Sequence, residues 1–101
     1  MPLATTVGLL STGHDTCSPV PCIEGSPTVF VENQPITRIG DSYAVHGCPL
    51  HSPHSGKLST GSSVLFVDDR AVGRIGDLIA SGGCTSAHRV AEGQDVLNVV
   101  D

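Results

Sequence analysis

The sequence predicts an all-β fold, on three observations. Residues 25–48 and 61–84 align without a gap at an offset of 36, with 11 of 24 positions identical. Gly (12) and Pro (7) are abundant, which suits many short strands joined by tight turns. No window carries an apolar stripe of helical period over three turns, so little helix is expected. The chain of 101 residues is long enough for one domain, spanning 1–101, and not for two.

Each repeat reads as a hairpin. Thr28-Val29-Phe30-Val31 is a strand and Val64-Leu65-Phe66-Val67 its copy. Glu32-Asn33 and Asp68-Asp69 make the turns, because Asn and Asp tolerate a left-handed backbone. Pro35–Ile39 and Ala71–Ile75 return as second strands, ended by Gly40-Asp41 and Gly76-Asp77. Longer loops are expected at 42–60 and 78–92. A fainter third copy begins at Gly93, where Val96-Leu97-Asn98-Val99 resembles Val64-Leu65-Phe66-Val67. The opening segment, 1–14, is the candidate for its missing part. Repeats of one supersecondary unit bury their apolar faces against one another. Aromatic residues make up 3% of the chain, with no Trp, so the core must come from Val, Ile, Leu and Ala. The repeat-equivalent Phe30 and Phe66 are expected to join it.

Arg38 and Arg74 stand at equivalent positions before Gly-Asp. One reading makes them surface strand residues paired with Asp41 and Asp77, an interaction of about 0–1 kcal/mol. The other has them bond loop carbonyls and so hold the hairpins together. Docking to a partner is a third use of the same charge.

The net charge is −5, with five Lys and Arg in all. Nucleic acid and anionic membrane surfaces need clustered cations, so neither is an expected partner. Met1-Pro2-Leu3-Ala4 lacks a basic n-region, and Gly8 and Ser11-Thr12-Gly13 break the first apolar run; a signal peptide is not expected. Synthesis in the cytoplasm follows, where Cys residues serve as thiols or metal ligands more often than as disulfides. In an oxidising space Cys17 and Cys22 are the candidates to pair.

Five His and four Cys fall outside the expected strands: His14, Cys17, Cys22, His46, Cys48, His51, His54, Cys84 and His88. Structural zinc takes about four tetrahedral N and S ligands. Three or four loops meeting at one end of a small β body would bring such ligands together. The alternative is a set of ordinary surface His and small buried Cys. The spacings form no Cys-x2-Cys finger. Enzyme signatures are absent: no Gly-x-Ser-x-Gly elbow, no Gly-rich phosphate loop before a helix, and no Glu (24, 32 or 92) in a metalloprotease-like helix. The chain is not expected to be an enzyme.

Two Gly-Ser-x-x-Val/Leu-Phe-Val hairpins, each followed by Arg-Ile-Gly-Asp, resemble the PAAR-repeat family of zinc-binding spike-tip proteins. The naming motif, Pro-Ala-Ala-Arg, reads here as Pro35-Ile36-Thr37-Arg38 and Ala71-Val72-Gly73-Arg74. Both copies depart from it in the middle, and the second lacks the Pro. Gly13-His14 and Asp41-Ser42-Tyr43-Ala44-Val45-His46 resemble the family's opening and its stretch after the first repeat. The resemblance spans nearly the whole chain. It implies a short cone of pseudo-threefold repeated β-hairpins with one structural zinc near the vertex, held by His14, His46, His54 and Cys84. Cys48 and His51 are the alternates to that set. The implied function is a sharp tip on a trimeric β-helical spike, one copy per spike, in a type VI secretion system or a contractile phage tail. The tip touches the target membrane only transiently, and the protein ends in a secreted spike or a virion tail. The alternatives are a zinc-stabilised adaptor linking effector proteins to the spike, and a standalone metal buffer.

Overall fold

The structure, a computed structural model, describes residues 2–12, 18–48, 51–81 and 88–99, with 46–48, 51–54 and 81 described by their backbone alone. Every regular element among them is a strand: β1 (Phe30–Val31), β2 (Gln34–Pro35), β3 (His46–Cys48), β4 (His51–His54), β5 (Gly56–Leu58), β6 (Phe66–Val67), β7 (Arg70–Ala71) and β8 (Ile79–Ser81). They form four antiparallel pairs, β1 with β2, β3 with β4, β5 with β8 and β6 with β7. The fold is all-β. Its extents are 36 × 23 × 23 Å.

Local chemistry explains the two short hairpins. Phe30 faces Pro35 across β1 and β2, and Phe66 faces Ala71 across β6 and β7. Both central residues of each turn take positive φ: 52° and 65° at Glu32 and Asn33, 53° and 64° at Asp68 and Asp69. That is the left-handed pair a two-residue hairpin requires, because its twist matches the right-handed twist of the strands. Gly61 allows a close approach beside the second hairpin. A Cβ there would lie 2.8 Å from the Val72 carbonyl oxygen.

The same backbone bonds recur at three places. Ile36, Val72 and Ala4 donate their N–H to the carbonyls of Val29, Leu65 and Leu97, at 3.0, 3.0 and 2.9 Å. Gly8, Gly40 and Gly76 donate to Cys22, Leu58 and Val90, at 2.9, 2.8 and 2.9 Å. In the first set the third bond, Ala4 to Leu97, joins the opening segment to the final one, and two more contacts do the same: Leu3 bridges Asn98, and Val99 donates to Pro2 at 2.8 Å. Three further bonds close a ring. Thr5 donates to Gly73 at 3.0 Å, Gly73 to Thr37 at 2.9 Å, and Thr37 back to Thr5 at 3.0 Å.

This ring separates two apolar clusters. Ala4, Ile36 and Val72, the chain neighbours of its members, pack with Val67 and Val99 on one side. Val20, Cys22, Tyr43, Leu58, Ile79 and Val90 form the other cluster. Cys22 Sγ lies 3.2 Å from Thr37 Oγ1. At Gly73 a Cβ would meet Leu58 Cδ2 at 2.5 Å, so glycine makes room for that side chain. The clusters are built from small aliphatic residues, with Tyr43 as the largest fully buried side chain.

Phe30 and Phe66 do not join either cluster; they are 55% and 56% exposed. Strand side chains alternate between faces, and here Val31 and Val67 take the inward positions. Four successive apolar or near-apolar residues, as in 28–31 and 64–67, carry no alternation from which the inward face can be read. The segments 42–60 and 78–92 also differ from the expected loops, since they contain β3, β4, β5 and β8. Their ladders are made by backbone groups, which leave no apolar pattern in residues such as His51–His54.

The two arginines are neither loose nor at the surface. Arg38 Nε and Nη2 donate to Asp41 Oδ2 and Oδ1 at 3.0 and 2.9 Å, and its backbone N–H donates to Oδ2 at 2.8 Å. Arg74 repeats this on Asp77 at 3.0, 3.0 and 2.8 Å. The guanidinium groups also reach the carbonyls of Gly25 and Gly61, at 3.4 and 3.2 Å. Both sequence readings, the Asp pair and the loop carbonyl, are therefore satisfied by the same side chain. The bonds it donates to Asp41 hold the Arg38 proton more tightly than usual.

Candidate metal centre

The segments that carry the His and Cys residues leave one closed circuit of backbone bonds. Ser11 donates to Val20 at 2.9 Å, and Leu10 bridges Pro21. Pro21 accepts from Ala44 at 2.9 Å, and Cys22 bridges Tyr43. Tyr43 donates to Gly56 at 2.8 Å, and Gly56 is the register partner of Ser81 in β5 and β8. Ile79 donates to His88 at 2.8 Å, and Thr12 donates to Arg89 at 2.7 Å, returning to the start. Three chain reversals thus depart from neighbouring points, between residues 12 and 20, 44 and 55, and 81 and 88.

Each reversal contains a sequence-predicted ligand. In the second, β3 and β4 place His46 directly opposite His54, and Cys48 opposite His51, with a register irregularity between the two rungs. His46 and His54 therefore share one rung of an antiparallel ladder, although eight residues separate them in the chain. The irregularity accommodates unequal strand lengths, as a bulge does. His14 and Cys84 lie outside the described residues. Their segments start next to described anchors, Thr12 for the first and Ser81 for the third. Among the described residues no group of three or more His, Cys, Asp or Glu side chains converges as a metal site. The backbone register puts the two His positions side by side, and a set of three His and one Cys has the donor chemistry zinc takes.

The ground beneath the reversals is apolar. Tyr43 is fully buried, and burial first of all pushes its hydroxyl well above the usual phenol value, with the Thr5 hydroxyl acting in the opposite sense. Cys22 is a buried free thiol, raised above the ordinary thiol value by burial and lowered in part by Thr37. It lies under the circuit, bonded to the Glu24 carbonyl at 3.1 Å. Cys17, its candidate disulfide partner, is outside the described residues.

Two of the three Glu residues serve as backbone caps. Glu24 accepts the Ser42 N–H at 2.8 Å and Glu92 the Leu10 N–H at 2.8 Å; Thr60 Oγ1 does the same for Leu78 at 2.9 Å. Bonds from Ser42 hold the Glu24 carboxyl below its usual range.

Sequence reasoning counted His88 among nine His and Cys residues and gave it no role. It is 2% exposed, its Nε2 is 2.8 Å from Ser11 Oγ, and its ring stands 6.5 Å from that of Tyr43 at 59°. The available signal was its place two residues before Val90, on the inward side of an alternating stretch. No protein-family model matches the chain, and a search of curated proteins finds no match.

Proposed function

We propose that this chain is a PAAR-type tip: a short cone of three β units that caps a trimeric β-helical spike, one copy per spike, and leads penetration of a target envelope. The observation that carries the reading is the rung that sets His46 opposite His54, on the middle one of three neighbouring chain reversals. The other two reversals hold His14 and Cys84. The threefold recurrence of backbone bonds supports it further. A body with equivalent edges at three places suits a threefold platform, and a single chain can then seat on a trimer.

His14, His46, His54 and Cys84 would hold one zinc. Zinc supplies coordination bonds that fix converging segments where there is no volume for an apolar core. The four residues would orient the segments. The hairpins with the exposed Phe30 and Phe66 rings would face the spike, offering apolar surface and strand edges for pairing. The ligand-bearing reversals would face away.

Two measurements test this. Elemental analysis of protein purified without added metal should find about one zinc per chain; iron, or no stoichiometric metal, removes the zinc reading. Cross-linking to a co-expressed trimeric spike protein should capture positions next to Phe30 and Phe66. Capture through the His46–His54 hairpin alone would reverse the polarity and end the tip reading.

A further inference from the structure

We infer that Ser11 and His88 form a buried polar clamp that joins the bases of the first and third chain reversals and so presets the metal centre, with His88 as a positioning residue and not a ligand. This rests on the zinc reading above. The clamp itself is built wholly from described residues. Ser11 and His88 are 1% and 2% exposed. Ser11 Oγ accepts the Val20 N–H at 3.2 Å while meeting His88 Nε2 at 2.8 Å. One hydroxyl therefore touches both ends of the first reversal and the end of the third. Beside it, Thr12 donates its N–H to the Arg89 carbonyl at 2.7 Å, and the Arg89 N–H returns to Thr12 Oγ1 at 3.0 Å. Arg89 Nη1 then anchors on the Gly76 carbonyl at 2.8 Å.

The residues at equivalent places argue against a packing role alone. The recurring bonds Ser11 to Val20, Tyr43 to Gly56 and Ile79 to His88 put Val20 and Gly56 where His88 stands in the third unit. An aliphatic side chain or none fills the first two places. An imidazole buried beside Tyr43 of the apolar cluster is costly unless it is hydrogen-bonded. Its bond to Ser11 offsets that cost and spans 77 residues of sequence. The seam it closes is the one made by the two chain-end segments, where no covalent hairpin turn links the partners. Groups behind metal ligands change affinity by about 10- to 100-fold when they are removed, because they set ligand orientation.

The test is zinc affinity by chelator competition in the full chain, for wild type, His88→Ala, His88→Gln and Ser11→Ala. The expected result is about 10- to 100-fold weaker binding for His88→Ala and Ser11→Ala, with affinity largely restored in His88→Gln, whose amide can still reach Ser11. Cobalt-substituted forms should keep the wild-type ligand-field spectrum, and hydrogen exchange at the Thr12 amide should speed up in both Ala variants without metal. Ser11→Ala is the smaller change and carries the test if His88→Ala does not fold. Unchanged affinity in folded variants overturns the clamp. A cobalt spectrum that loses a nitrogen ligand in His88→Ala and His88→Gln alike overturns it in the other direction, by making His88 a ligand. A wild-type chain that binds no zinc defeats the zinc reading itself, an outcome visible before any variant is compared.

Discussion

The two Arg–Asp clamps are built from the same four-residue motif and are not equivalent. In the first, the Arg38 and Asp41 side chains are 9% and 1% exposed; in the second, Arg74 and Asp77 are 17% and 7% exposed. The bonds within each clamp have nearly the same lengths. Outside the motif, the first clamp takes partners from the second repeat. Asp68, in the turn of the second hairpin, accepts Arg38 Nη1 at 2.9 Å and also the hydroxyls of Ser26 and Thr28 at 2.6 and 2.8 Å. Arg70 adds a second, looser contact to Asp41 at 3.4 Å. The second repeat thus covers the clamp of the first. At the third place the glycine stays, as Gly8, but the charged pair is lost: Thr6 and Leu9 stand where the other units have Arg and Asp, as the bond from Leu9 to Thr6 shows. The lesson is that a local motif sets a geometry, and its neighbours set how much that geometry matters.

The largest expected effect breaks the better-covered clamp. Asp41→Ala leaves the Arg38 guanidinium without its main partner in a nearly dry site. The expected loss is about 3–5 kcal/mol in urea unfolding at neutral pH. Asp77→Ala should cost less, about 2–3 kcal/mol, because water reaches Arg74 more readily. Equal losses would erase the distinction between the two clamps.

Asp68→Asn should come next, with a lower melting temperature than wild type but a smaller drop than Asp77→Ala. It also has a pH signature. Bonds from Ser26 and Thr28, then the Arg38 charge, hold the Asp68 carboxyl below its usual range. Its folded value is depressed, so its contribution is complete above the unfolded value of about 3.9 and disappears as pH falls through the folded one. The Asn variant should lose less stability than wild type between pH 5 and pH 2, in units of melting temperature. An identical acid limb in both proteins would show that Asp68 does not support Arg38.

A second pH signature lies on the far side of the Thr5–Thr37–Gly73 ring. Cys22 and Tyr43 are both raised by burial. Their contribution is complete below the unfolded values, about 8.5 for a thiol and about 10 for a phenol. It is lost as pH rises toward the higher folded values. Stability should therefore decline above about pH 9, and Tyr43→Phe should flatten the upper part of that decline. Asp68→Asn should leave its shape unchanged, whereas Asp41→Ala and Asp77→Ala should soften it, because both carboxylates add to the upward shift of Tyr43.

The smallest expected effect concerns the exposed rings. Phe30→Ser and Phe66→Ser should each change the stability of the isolated chain by no more than about 0.5 kcal/mol, as surface substitutions do. Both should weaken capture of the trimeric spike. A loss of several kcal/mol in the isolated chain would mean that these rings belong to the interior after all.

Much of this could be read from residues close in sequence. The turn pairs Glu32-Asn33 and Asp68-Asp69 take the left-handed backbone that their composition and place between apolar runs suggest. The Arg–Asp pairs are three residues apart, so a single tight turn brings them together. The inward face of 28–31 and 64–67 was not legible, since apart from Thr28 those runs are apolar and show no alternation. Nor were the strands within 42–60, where Ser, His, Gly and Pro give no periodic signal. For the metal centre, residue types pointed to a class of ion, and resemblance to a family chose four residues. The rung of His46 and His54 depends on a register irregularity that side-chain pattern does not announce.

What the sequence determined by itself is the content of one unit: its turn, its clamp and its repetition at an offset of 36. These are short-range matters, decided by the backbone angles a residue tolerates and by partners a few residues away. What only the tertiary structure decided is how the units meet. The Thr5–Thr37–Gly73 ring, the pairing of Leu3 with Asn98, the reach of Asp68 to Arg38 and the seam between Ser11 and His88 join residues 30 to 95 positions apart. Named strands of two to four residues carry too few side chains to encode such partners. Closure of the whole backbone circuit selects them, because each buried N–H and C=O must find a mate somewhere.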